Sequence, residues 1–326
     1  MGKKALFIAC ILALCNCCAT RNEVKVIKFA HALDTNHPVH KAIEFMAQKV
    51  AEDSEGELQI KVYPSRQLGS ERECLELLQL GSLDMTKVSG AVLENFAPGM
   101  RVFGFPFLFR DRAHYYGVLD SEIGEALLAE GEDTWLKGLG YFDAGSRSFY
   151  TKTAPVESPT DLKGLKIRVQ ESASAMSMVK LLGGSPTPIS WGELYTALQQ
   201  GIVDGAENNP PSFFGSGHYE VCKYYSIDAH TAIPDVVIIG TNTWNQLNEE
   251  QRGWLQAAMA AAVEYQREAW QAAEQAALEA VQAAGVTVTY PEPEAFQQAV
   301  LPMYEAASPQ LQTLIESIRT YHENYH

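Results

Sequence analysis

Apolar and polar residues alternate from Val24 to Ala30 (VKVIKFA), the period of a β-strand. The next segment changes period. From Pro38 to about Ala51, Val39, Ile43, Met46 and Val50 fall on one stripe of a helix. Leu58–Tyr63 (LQIKVY) again reads as a strand, Glu71–Leu80 as a short helix stopped by Gly81, and Leu83–Val88 as a third strand. Strand, helix, strand, helix, strand in that order predicts a mainly parallel α/β sheet. A second unit follows. Leu165–Val169 (LKIRV) is a strand, and Ser172–Leu182 is a helix ending at Gly183–Gly184. Ser190 opens S-W-G-E, a capping-box pattern in which Glu193 reaches back to the Ser190 amide. Trp191–Gln200 is the helix it starts, and Ile202–Ala206 the strand after it. Two α/β units in one chain predict two lobes with a cleft between them.

The segment Glu249–Ala284 stands apart. It is rich in Ala, Gln and Glu, holds one glycine (Gly253) and no proline, and stops at Gly285. Asn248 is a suitable N-cap with Gln251 three positions on. A single helix of this length extends about 54 Å, enough to lie across both lobes. Two helices with an unmarked break are the alternative.

Composition places the chain among ordinary folded proteins: of 326 residues, 46% are hydrophobic and 20% charged. The formal charge of −15 disfavours nucleic acid and anionic membrane as partners. It leaves room for an anionic small molecule in a local basic pocket. Residues 1–19 read as a secretory leader. Lys3 and Lys4 precede an apolar run at 5–15 that is too short to span a bilayer, and Cys17 and Ala19 are the small residues of a cleavage site. Acylation at Cys18 is the competing reading. Removing residues 1–19, with two lysines and no acid, takes the formal charge from −15 to −17. Four of the six cysteines lie in that segment. Of the remaining two, Cys74 and Cys222, an oxidising compartment permits a disulfide, and two buried free thiols are the favoured expectation.

Five segments carry a family resemblance: YPSRQLG at 63–69, GSLDM at 81–85, DLKGLKIRV at 161–169, GGSPTPISWGELYTALQQG at 183–201 and VDGAENNPP at 203–211. Together and in this order the chain resembles the extracytoplasmic solute-binding subunit of TRAP (tripartite ATP-independent periplasmic) transporters, of the C4-dicarboxylate-binding type. The resemblance implies a periplasmic-binding-protein-like α/β fold with a long helix spanning two lobes and a ligand trapped as they close. The expected division is a leader at 1–19, lobe I from 20–144 plus 234–273, and lobe II from 145–233 plus 274–326. It also implies a periplasmic location, membrane subunits of a TRAP transporter as partners, no cofactor and no catalysis.

In the LKIRV strand, Arg168 resembles the family's carboxylate clamp. The chemistry fits, because a carboxylate leaving water needs a partner, and guanidinium offers two parallel donors. Arg147 in DAGSRSFY resembles a second basic residue aimed at the same group. Asn208 matches a ligand-contacting asparagine, and Trp191 a residue of the pocket wall. Other positions are candidates for reading hydroxyl groups. They are His31, Asp34 and Asn36 in HALDTNHPVH at 31–40, Glu71 and Glu73 at the start of a helix, and Lys87 and Ser89 at the end of a strand. A metal site from His31, Asp34, His37 and His40 is the competing reading of the first of these segments. The HALDTNHPVH, SEREC and AENNPP segments resemble the branch of the family that binds sugar acids, notably galacturonate and glucuronate. Acidic neighbours suit hydroxyls and repel a plain dicarboxylate. A dicarboxylate or aldonate binder, a receptor-docking sensor and an exported sugar-acid enzyme are the alternatives. For the last, the G-x-S-x-G, P-loop and G-x-G-x-x-G patterns are missing from the sequence, while H-E-x-x-H occurs once, at 322–326.

Overall fold

The computed structural model describes residues 24–322. The leader, its cleavage site and Cys18 lie outside the described residues. Eleven strands form two sheets: β1 (Lys25–Ala30), β2 (Leu58–Tyr63), β3 (Met85–Ser89), β4 (Leu136–Phe142), β5 (Arg147–Thr151), β6 (Lys166–Val169), β7 (Ser185–Pro188), β8 (Gly205–Asn208), β9 (Tyr224–Thr231), β10 (Asp235–Gly240) and β11 (Thr287–Thr289). The first sheet has the order β2-β1-β3-β10-β4 and the second β11-β9-β5-β8-β6-β7.

The parallel arrangement predicted from the sequence holds within each unit. β1 pairs in parallel with β2 and β3, and β6 with β7 and β8. Both sheets are nonetheless mixed, because the chain crosses between them. From β4 it passes directly into β5 of the other sheet, and from β9 it returns into β10. β10 then runs antiparallel to both β3 and β4, and β5 antiparallel to both β8 and β9. Neither crossing leaves room for the helix that a parallel connection needs.

Helix Pro38–Asp53 buries the predicted stripe, with Val39, Ile43, Met46 and Val50 all at 0% exposure. The long segment is one unbroken helix, Glu249–Ala283, about 52 Å in length, and its Asn248–Gln251 capping box forms. Leu255, Ala258, Met259 and Ala262 bury its first half against the core of the first sheet, while Val281 joins the core of the second. Midway, buried Gln266 holds the β4–β5 crossing. Its Nε2 donates to the Asp143 carbonyl at 2.7 Å, and its Oε1 accepts from the Asp143 amide at 2.8 Å. Gly145 continues this crossing with φ +59°, and a Cβ there would meet the Trp270 ring nitrogen at 2.9 Å. Only glycine brings the crossing this close to the helix. Cys74 and Cys222 are both free and buried, as favoured from the sequence.

One local expectation needs correction. Ser190 does not cap its helix through a capping box. The first turn, Trp191–Glu193, is a 3₁₀ turn, and the Glu193 carboxylate instead accepts from the Ser190 hydroxyl at 2.8 Å. The box forms at Ser70–Glu73, where a nine-residue α-helix follows.

Candidate functional site

The parallel strands of both sheets point their carboxyl ends at one cleft, and the antiparallel strands begin there. Lys87 and Ser89 therefore close β3 opposite Val237 and Asp235 of β10. On the facing wall, Arg147 opens β5, Asn208 ends β8 beside Ser148, and Arg168 lies near the end of β6.

Arg168 is the most unusual side chain. It is 2% exposed; its Nε donates to the Ile189 carbonyl at 2.8 Å, and its Nη1 has no hydrogen-bond partner among the described residues. Burial holds its pKa below the ordinary arginine value, outweighing the opposite pull of Tyr150 and Glu207. A guanidinium taken out of water without a carboxylate is costly, and an anion binding beside it recovers that cost. Arg147 is buried differently. It forms an ion pair with Glu207, and its Nη1 donates to Asn208 Oδ1 at 3.0 Å. Burial works against the Arg147 charge, but Glu207 more than offsets it and raises the pKa. Behind this pair His230 contacts Glu207 and Asp228; burial opposes its charge, yet the two carboxylates push its pKa up to about 9. Asn208 Oδ1 also accepts from the Asn209 amide at 2.9 Å, so the amide nitrogen of Asn208 is its free donor.

The opposite wall holds Lys87, 2% exposed, with its ammonium 3.0 Å from both Glu71 Oε1 and Asp235 Oδ1. Burial disfavours its charge, and Asp235 and Glu71 together overcome burial and raise its pKa. The Ser89 hydroxyl accepts from the Ala91 amide and reaches Gln170 Oε1 of the other wall at 3.4 Å. Further bonds join the two sides: Ser172 Oγ to Glu94 Oε1 at 3.0 Å, and Asn95 Nδ2 to the Glu171 carbonyl at 2.8 Å. The cleft is thus closed. It is lined by Glu71, Lys87, Ser89, Arg147, Trp191 and Asn208, with His37, Gln170 and Asp235 among the rest. A smaller recess, bounded by Glu71, Arg168, Gln170 and Trp191, adjoins it.

The profile of bacterial extracellular solute-binding protein, family 7 (DctP), matches residues 29–310. The chain belongs to this family. A TRAP periplasmic solute-binding protein from Bradyrhizobium, solved with α/β-D-galacturonate, is 40% identical with a TM-score of 0.89, over 91% of this chain and 100% of that one. One from Anaerococcus prevotii, solved with α/β-D-glucuronate, is 39% identical with a TM-score of 0.89, over 92% and 99% of the two chains. The uncharacterized protein YiiZ of Salmonella typhimurium is 39% identical over 90% of this chain and 91% of its own. Proteins of the TRAP family work with membrane subunits of a transporter. Among the described residues of this solute-binding protein, no helix is long and apolar enough to cross a membrane.

Four of the residues singled out from the sequence fall outside the cleft of this solute-binding protein and the recess beside it. Glu73 is exposed and caps its own helix, its Oε2 accepting from the Ser70 amide at 2.7 Å. His31 lies one layer behind the wall. Its Nδ1 accepts from the Leu33 amide at 3.2 Å and its Nε2 lies 3.0 Å from His40 Nδ1, so both ring nitrogens are engaged. Burial, followed by Lys87, lowers the His31 pKa to about 3. Asp34 and Asn36 are exposed. The histidine of this segment that faces the cleft is His37, whose Nε2 lies 3.4 Å from Ser212 Oγ of the other wall. Among the described residues, no group of three or more His, Cys, Asp or Glu is arranged to hold a metal ion. Asp235, Gln170, Asn209, Ser212 and Trp270 also line the cleft and carried no sequence expectation.

Proposed function

We propose that this TRAP solute-binding protein captures a hexuronate such as D-galacturonate or D-glucuronate and hands it unchanged to the membrane subunits. One observation carries the reading: Arg168 is a buried guanidinium with no anionic partner, lining the recess that adjoins a cleft whose other groups suit hydroxyls. The ligand carboxylate pairs with Arg168, assisted by the remaining Arg147 donor and the Asn208 amide. Glu71, Asp235, Lys87 and Ser89 take the hydroxyls, and the Trp191 ring forms an apolar wall for the sugar. The galacturonate and glucuronate held by similar solved proteins support the same ligand class. The work is done in the periplasm, after the leader at 1–19 is removed.

The lobes that close on the ligand are 20–144 plus 234–273 and 145–233 plus 274–326, with the two crossings as hinges. Both are short. Small-angle scattering tests the reading with D-galacturonate. Saturating ligand should reduce the radius of gyration and, at 100 times its dissociation constant, add about 2.7 kcal/mol of stability. An unchanged radius together with an unchanged melting temperature, for both galacturonate and glucuronate, would rule the hexuronate reading out.

A further inference from the structure

The formal charges of the cleft are divided unevenly between its walls. On the wall of the second sheet, Glu207 neutralises Arg147, and the His230–Asp228 pair behind it adds nothing net. Arg168 is left as one uncompensated positive charge. On the wall of the first sheet, one ammonium, Lys87, serves two carboxylates, Glu71 and Asp235, each at 3.0 Å. That wall carries one surplus negative charge. His37, the other titratable group facing the cleft from this side, is neutral, because burial and then Lys87 bring its pKa down to about 3.

We infer that Asp235 sets ligand specificity by leaving the Lys87 wall with a surplus negative charge, so that the site accepts a polyhydroxy acid with one carboxylate and rejects the corresponding diacid. The inference rests on the hexuronate reading and deepens it. One carboxylate at Arg168 completes that wall, and hydroxyls donate to the paired acceptors of Glu71 and Asp235. A second carboxylate on the same ligand meets a lysine already shared by two acids. It has no free cation to pair with and two like charges against it, and like-charge juxtaposition in a closed site is a strong means of rejection. Burial raises the Asp235 pKa, Lys87 opposes it, and Glu71 adds to it. Asp235 sits at the first position of β10, 7% exposed and directly opposite Ser89.

Titration with D-galacturonate and with galactarate, its diacid counterpart, on the parent and on Asp235→Asn tests this. The asparagine keeps the shape and the acceptor oxygen while removing the charge. In the parent, galacturonate should bind and galactarate should bind at least tenfold more weakly. In Asp235→Asn, galactarate should bind at least tenfold more tightly than it does to the parent, as Lys87 is released to pair with it, while galacturonate does not gain. Galactarate is an open chain whichever protein it meets, so its shape cancels when variant is compared with parent. If Asp235→Asn does not fold, Glu71→Gln removes the other carboxylate from the same ammonium and should act in the same direction. Galactarate binding the parent as tightly as galacturonate, or gaining nothing in a folded variant, overturns the role of Asp235 and leaves the hexuronate reading standing. Failure of the parent to bind galacturonate overturns that reading, and the inference with it.

Discussion

Replacing Arg168 by alanine should weaken galacturonate binding by a factor of about 30 to several thousand, from the cost of about 2–5 kcal/mol for leaving one member of a buried charge pair without its partner. Arg168→Lys should fall between parent and alanine, because a compact ammonium cannot reproduce a two-point contact with a carboxylate. The same side chain should behave in the opposite way toward stability. With the cleft closed and no ligand in it, its charge is buried and its Nη1 is unpaired. Exchanging a buried charge for an apolar side chain of similar length is often neutral or stabilising. Arg168→Met should therefore lose affinity while unfolding no more easily than the parent in urea. Titration calorimetry and urea melts on the three variants read the two effects separately. A variant set that loses stability and affinity together would make Arg168 a packing residue rather than a ligand clamp.

Lys87 should show the reverse balance. Its ammonium is the shared partner of Glu71 and Asp235, and all three side chains are largely buried. Lys87→Met leaves two carboxylates facing each other without a cation, and breaking a buried ion pair from one side costs about 3–5 kcal/mol. The loss should be visible as a lower urea midpoint at pH 7 without ligand. Adding Asp235→Asn to Lys87→Met should restore part of it, because only one uncompensated acid then remains. A Lys87→Met protein with the parent's urea midpoint would show that the triad contributes nothing to the fold.

Elements with a single buried face were legible in the sequence. The stripe Val39, Ile43, Met46 and Val50 follows from helical period alone, and the long helix follows from its caps and the near absence of glycine and proline. β10 was not legible. All six of its residues are buried on both faces, so DVVIIG shows no alternation. Its antiparallel pairing with β3 follows from the return crossing, which no local pattern encodes. Asp235 was hidden for the same reason. The S-x-x-E pattern occurs at both Ser70 and Ser190, yet only the first becomes a capping box, because only there does an α-helical first turn present the third amide to the serine. That is also why Glu73 read as a site residue and is a cap. His31 and His37 belong to one polar loop. Which of them turns toward the cleft depends on the loop after β1, where His37 caps the following helix and His31 faces His40. Arg168, Arg147, Asn208, Lys87, Glu71, Ser89 and Trp191 all come together at or beside one cleft.

The central claim is that a buried, unpaired guanidinium selects a sugar by its carboxylate. Calorimetric titration of the parent protein with D-galacturonate and with D-galactose tests it most directly, since the two differ only in the carboxylate that replaces a hydroxymethyl group. Galacturonate should bind, and galactose should bind at least about 30-fold more weakly, the low end of the charge-pair cost. Equal affinities for the two sugars, or galactose binding without galacturonate, would contradict the account.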